Sequence, residues 1–214
     1  IIMTRTIKQW IFLVALPIYL FLESFFLQNF FYVYFDGILS EIIFLIINFI
    51  PCIAILIYIH VYDEPVKEYG FHLHTPLIQL IYGIGLYVFT GILFRSTASS
   101  LSLISESVNH LITNFNTINL FVLLDLFYNV FIEEFIWRGF VLTFLSKKLN
   151  IFPGIIITSI LFGLVHYPVF FSFAHIINSC ILSIVYCYLR IHSPEKFGVF
   201  SLAITHFLWD LALH

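Results

Sequence analysis

Residues 129–140 read NVFIEEFIWRGF, two adjacent glutamates and an arginine inside an almost continuous apolar run. Outward from this stretch the apolar character continues in both directions. Of 214 residues, 61% are hydrophobic, 20% aromatic and only 10% charged, and the mean hydropathy is +1.04. An ordinary soluble domain carries about 25% charged residues. So little charge cannot cover a soluble globule of this length. The fold class is therefore all-α: a polytopic helical membrane bundle in which Glu133, Glu134 and Arg138 lie at membrane depth.

A spanning helix needs about 20 mostly apolar residues. That yardstick gives about seven transmembrane helices, near 9–33, 38–61, 76–95, 119–146, 152–167, 169–190 and 197–212. No linker divides them, so residues 1–214 are expected to form a single integral-membrane domain. The first span follows Arg5 and Lys8, is too long for a signal peptide, and is expected to be a retained anchor. Residues 63–76, DEPVKEYGFHLHTP, read as the most polar loop, and the Ser/Thr/Asn-rich 96–118 as an external loop or interfacial helix. Lys and Arg mark the cytoplasmic side of short loops. With the N-terminus inside, Arg5, Lys8, Lys67, Lys147, Lys148, Arg190 and Lys196 fall inside and only Arg95 outside. The expected location is thus a cell membrane, multi-pass, and the Phe-, Ile- and Tyr-rich usage points to a bacterial plasma membrane. The formal charge of −3 and the absence of a basic block give no support to a nucleic-acid partner. Cys52, Cys180 and Cys187 lie in apolar segments without CxxC spacing and read as small hydrophobes.

A charge at the bilayer centre costs about 2.5–3.5 kcal/mol on insertion scales, so the three charges must face the protein interior or a wet cavity. Glu134 and Arg138 are spaced i,i+4 and can pair on one helix face. Glu133 is rotated by about 100° and is left without a local cation. Partners at similar depth follow from the hairpins. Counting from residue 150, Glu134 lies 16 positions before the turn and His166 16 after it. At about 1.5 Å per residue both are roughly 24 Å from that turn. His206 and Asp210, again i,i+4, lie about 17 and 23 Å from the next turn by the same rise. Asp125 and Asn129 continue the Glu133 stripe, with Asp125 expected to be solvated near the outer helix end. Asn178 is a candidate supporting residue, Glu23 and Glu41 are interfacial, and His110 and His175 read as ordinary core histidines.

Carboxylates and imidazoles converging in a desolvated pocket are the ingredients of general acid–base catalysis. No GxSxG turn supplies a serine nucleophile. The pattern therefore points to hydrolysis by activated water, without an acyl-enzyme.

The motifs resemble those of a known family. EEFIWRG at 133–139 resembles the EExxxRG signature of the CAAX protease and bacteriocin-processing family of intramembrane glutamic endopeptidases; FGLVH at 162–166 matches its FxxxH, and HFLWD at 206–210 resembles its HxxxN/D. Order and spacing agree over about 119–212, the expected catalytic core. The resemblance implies that Glu133 and His166 activate the water, that His206 and Asp210 bind the oxyanion, and that Glu134 and Arg138 support the site. It implies no metal or other cofactor, and a peptide or protein substrate presented at the lipid bilayer. Asp210 stands where many members have Asn, and an ionised Asp cannot donate to an oxyanion unless it is protonated or acts by holding His206.

Three rival readings stay open. His166, His206 and Glu133 form the donor set of a zinc metalloprotease with water in the fourth position, although HExxH is absent. A non-catalytic bacteriocin-immunity or binding protein fits the same bundle. A transporter also buries acids, but no inverted repeat or broken helix pair is visible.

Overall fold

The computed structural model describes residues 2–26, 38–72, 75–96 and 120–213, and among these all regular secondary structure is helical. The chain is an all-helical membrane protein. In chain order the elements are α1 (Ile2–Phe26), α2 (Ile38–Val61), a 3₁₀ turn (Val66–Tyr69), α3 (Pro76–Ser96), α4 (Leu120–Glu134), a π-helical segment (Phe135–Val141), α5 (Leu142–Leu149), α6 (Ile151–Val165), α7 (Tyr167–Phe170), α8 (Phe173–His192) and α9 (Val199–Leu213). Arg5–Phe26, Ile151–Phe170 and Phe173–His192 are each long and apolar enough to cross a bilayer. Ile46–Val61, Pro76–Ile92 and Val199–Leu211 are shorter apolar helices. In hydrocarbon every backbone donor must be satisfied internally, which is why such sequences adopt continuous helices. Residues 97–119 with His110, residues 27–33 of the first expected span, and the side chains of Glu41, Arg95 and Asp125 lie outside the described residues.

The described contacts group into two compact units. Unit 1 comprises residues 1–64 and 140–188, and unit 2 comprises 65–139 and 189–214.

Unit 1 is held by aromatic packing and tight turns. Phe12 stacks on Tyr58 at 5.1 Å, and Phe140 meets both rings edge-on at 5.5 and 5.1 Å. Trp10 adds an edge contact to Phe144. Asn150 alone joins α5 to α6, at a φ of 79° that Asn tolerates better than most residues. This turn falls where the hairpin count centres it. At the cation-bearing end, Arg5 donates to the Tyr62 carbonyl, Lys148 to Gln9, and Lys147 pairs with Glu64.

In unit 2 the described residues 65–72 lead from the first unit toward α3 as the expected loop, and their backbone is tied into the unit. The 3₁₀ turn buries Tyr69, and Gly70 follows at a φ of 93°. The Gly70 carbonyl accepts from Val199 N–H at 3.2 Å, and Arg190 Nη2 donates to Glu68 O at 2.8 Å. Gln79 Nε2, from α3, donates to His72 O at 2.8 Å. The backbone of the segment is hydrogen-bonded to Arg190 and the first turn of α9, while the side chains of Lys67 and Glu68 are exposed.

Candidate active site

The charged cluster begins where α4 gives way to the π segment. Glu134 is the last residue of α4 and is fully buried, while Arg138 lies one turn on and is 1% exposed. Arg138 Nη1 donates to Glu134 Oε1 at 2.9 Å, the pairing expected from the i,i+4 spacing. Seven residues, Phe135–Val141, wind in π fashion, an i→i+5 pattern found mostly at functional sites. No residue in IWRGFV announces it. The widened turn holds more residues than the 3.6 assumed in the depth count, so that count is only approximate on this arm.

Gly139 has a local reason. A Cβ there would stand 2.9 Å from the carbonyl oxygen of Tyr69 and 3.0 Å from the Phe135 ring. The glycine of EEFIWRG thus admits the backbone of the 3₁₀ turn against the π segment.

His206, on α9, completes the cluster. Its Nδ1 lies 2.9 Å from the same Glu134 Oε1 that accepts from Arg138. A carboxylate paired with arginine only accepts, so His206 carries its hydrogen on Nδ1 and donates. One oxygen therefore receives two donors, and this fixes the imidazole so that Nε2 is the working atom. Asp210 Oδ1 is 3.7 Å from that Nε2, within ion-pair range and beyond hydrogen-bond range. Glu133, half-buried, is rotated away from this pairing around α4. Sequence reasoning placed Glu134 with Arg138 and left His206 as an oxyanion donor. It missed that Glu134 also anchors His206, because a contact between two nearly uniformly apolar helices leaves no trace in either one's pattern.

Unit 2 thus gathers Arg138 and His206 around one oxygen of Glu134, with Asp210 beside the far nitrogen of His206. His166 belongs to unit 1, at the C-terminal end of α6. Its Nδ1 lies 2.7 Å from the Phe162 carbonyl. A carbonyl only accepts, so Nδ1 again carries a hydrogen, and the ring is held with Nε2 pointing away from that bond. The spacing FxxxH is the i,i+4 spacing this bond needs, and Phe162 also packs its ring on His166 at 4.5 Å. His175 stacks on Phe170 at 3.7 Å, and its ring centre lies 6.0 Å from that of His166. Asn178 is exposed on α8 and takes no part in a buried cluster. Among the described residues no group of three or more His, Cys, Asp or Glu is arranged to hold a metal ion.

A search of curated proteins and one of solved structures each found no match. A scan of family models found one, Rce1-like, described as type II CAAX prenyl endopeptidase Rce1-like, over residues 115–212. That span contains EEFIWRG, FGLVH and HFLWD in order, along with both histidines whose Nδ1 atoms are pinned. Residues 115–212, somewhat under half of the chain, are thus similar to the Rce1-like family of CAAX prenyl endopeptidases.

Proposed function

We propose that this chain is an intramembrane endopeptidase that hydrolyses a membrane-presented peptide or protein with water activated by glutamate and histidine, without a metal. The observation that carries the reading is the shared Oε1 of Glu134, 2.9 Å from both Arg138 Nη1 and His206 Nδ1. That arrangement commits Glu134 to orienting His206 and leaves Glu133 as the carboxylate for proton transfer. Glu133 takes a proton from water as the water oxygen bonds to the scissile carbonyl carbon, and the carbonyl electron pair moves onto oxygen. The resemblance gives His166 the second part in orienting that water. His206, when protonated on both nitrogens, donates from Nε2 to the oxyanion. Asp210 supports that charged form as a carboxylate beside Nε2, so an Asp serves where many relatives carry Asn. Collapse of the oxyanion breaks the C–N bond, and the proton held by Glu133 passes to the leaving amine.

General-base catalysis contributes about 10²–10⁴-fold, and one oxyanion donor about 10²–10³-fold. The test is cleavage of a quenched peptide library by detergent-purified protein, beside Glu133→Gln and with or without a strong zinc chelator. The expected outcome is a loss of about 10²–10⁴-fold in Glu133→Gln and no effect of chelation. Activity lost to the chelator would establish the zinc protease instead. Full activity in Glu133→Gln would remove the glutamate mechanism. Failure of the wild type to cleave any library member would favour the binding or immunity protein.

A further inference from the structure

The helix that carries His206 and Asp210 lies against α3, which precedes the family-matched segment entirely. Along α9, Ser201, Thr205 and Trp209 recur every four residues and form one stripe, while His206 and Asp210 form a second stripe about 100° around the helix. The first stripe is polar, and each of its members meets α3. Thr205 Oγ1 donates to the Gly83 carbonyl at 2.9 Å, a backbone oxygen in the middle of α3. Trp209 Nε1 donates to Thr90 Oγ1 at 3.0 Å, and Thr90 Oγ1 in turn donates to the Leu86 carbonyl at 2.8 Å. The Tyr87 ring meets the Trp209 ring edge-on at 5.6 Å. Gly83 makes the approach possible, since a Cβ there would stand 2.6 Å from Ser201 O. Thr90, Ser201 and Thr205 are all fully buried.

Between two helices surrounded by lipid, apolar contact alone does not fix rotation, because lipid is as good a neighbour as leucine. Two directional hydrogen bonds, a little over one helical turn apart on α9, do fix it. We infer that Thr90 and Gly83 of α3, with Trp209 and Thr205 of α9, form a two-point polar clamp that sets the roll of α9 and thereby holds His206 on Glu134. Thr90 and Trp209 are positioning residues, since neither touches the reacting atoms. The catalytic unit therefore extends upstream of the matched segment to residue 83. The catalytic consequence of the clamp rests on the endopeptidase reading, but its effect on the histidine does not.

Thr90→Val keeps the side-chain shape and removes the acceptor, Trp209→Phe removes the donor, and Thr90→Ser restores the acceptor. In the peptide assay, Thr90→Val and Trp209→Phe should each lower kcat about tenfold with KM within twofold of wild type. Thr90→Ser should recover most of that loss. The double variant should be no worse than either single one, because both remove the same bond. The second readout needs no activity: ¹⁵N spectra of histidine-labelled protein, with the His206 signals assigned from His206→Ala. Thr90→Val should shift the His206 Nδ1 and Nε2 resonances, and Thr90→Ser should return them. Unchanged His206 resonances in Thr90→Val would overturn the clamp, whether or not the protein cleaves peptides. Equal falls in activity and thermal midpoint, with the double variant losing the product of the two singles, would reduce it to ordinary packing. Wild type that does not cleave, with His206 resonances that follow Thr90 as stated, would sink the endopeptidase reading and keep the clamp.

Discussion

The two units solve the same problem, packing helices in oil, by different means. Unit 1 uses shape: the Phe12, Tyr58 and Phe140 rings interlock, glycines and small residues allow close approach, and its ionic contacts sit at one end. Unit 2 uses direction: Arg138 and His206 converge on Glu134, Thr205 reaches a backbone carbonyl, and Trp209 reaches Thr90. Shape packing tolerates small rotations of a helix, whereas hydrogen bonds between helices do not. On the proposed reading, Glu133 and His206 belong to the unit built from hydrogen bonds.

Arg138→Met tests this contrast most severely. It leaves the fully buried Glu134 without its cation, and breaking a buried pair from one side costs about 3–5 kcal/mol. Detergent-purified protein should unfold at much lower temperature or denaturant, and wild-type stability would mean that direction is dispensable in unit 2. Of intermediate size is Gly163→Ala in unit 1, whose new Cβ would press on Cys180 Sγ and stand 2.8 Å from Ile176 O. Overpacking of this kind costs about 1–3 kcal/mol. Gly85→Ala is the control, because a Cβ there meets nothing within 4 Å; the same unfolding measurement should find it neutral or slightly stabilising. Equal behaviour of the two glycines would deny shape its role in unit 1. The smallest effect belongs to Lys147→Ala at the half-exposed pair with Glu64. Exposed pairs contribute about 0–1 kcal/mol, so its unfolding midpoint should match wild type.

What was legible in the sequence follows the same division. Charges in an apolar run are conspicuous, so Glu133, Glu134, Arg138, His206 and Asp210 stood out, and the i,i+4 spacing of Glu134 and Arg138 named a real pair. The turn at Asn150 and the all-helical fold were equally plain. Rotation about each helix axis was not. In a soluble helix the polar face marks solvent, but α9 carries two polar stripes, Ser201–Thr205–Trp209 and His206–Asp210, and polarity alone does not say which neighbour each one meets. For that reason the Glu134–His206 bond and the role of Thr90 had no signal. The π winding at 135–141 had none either.

The contacts along α3 and α9 carry a topological consequence. Gly83 faces Ser201, Ile204 and Thr205, and seven residues later Thr90 faces Trp209, so the two helices point the same way. Two membrane-crossing segments with the same sense must be separated by an odd number of crossings. If α3 and α9 both cross the bilayer, as the sequence reading expects, an even count between Ser96 and Val199 is forbidden on parity alone. The three crossings expected from the sequence in that interval, through 119–146, 152–167 and 169–190, are an odd count, the count that parallel α3 and α9 require.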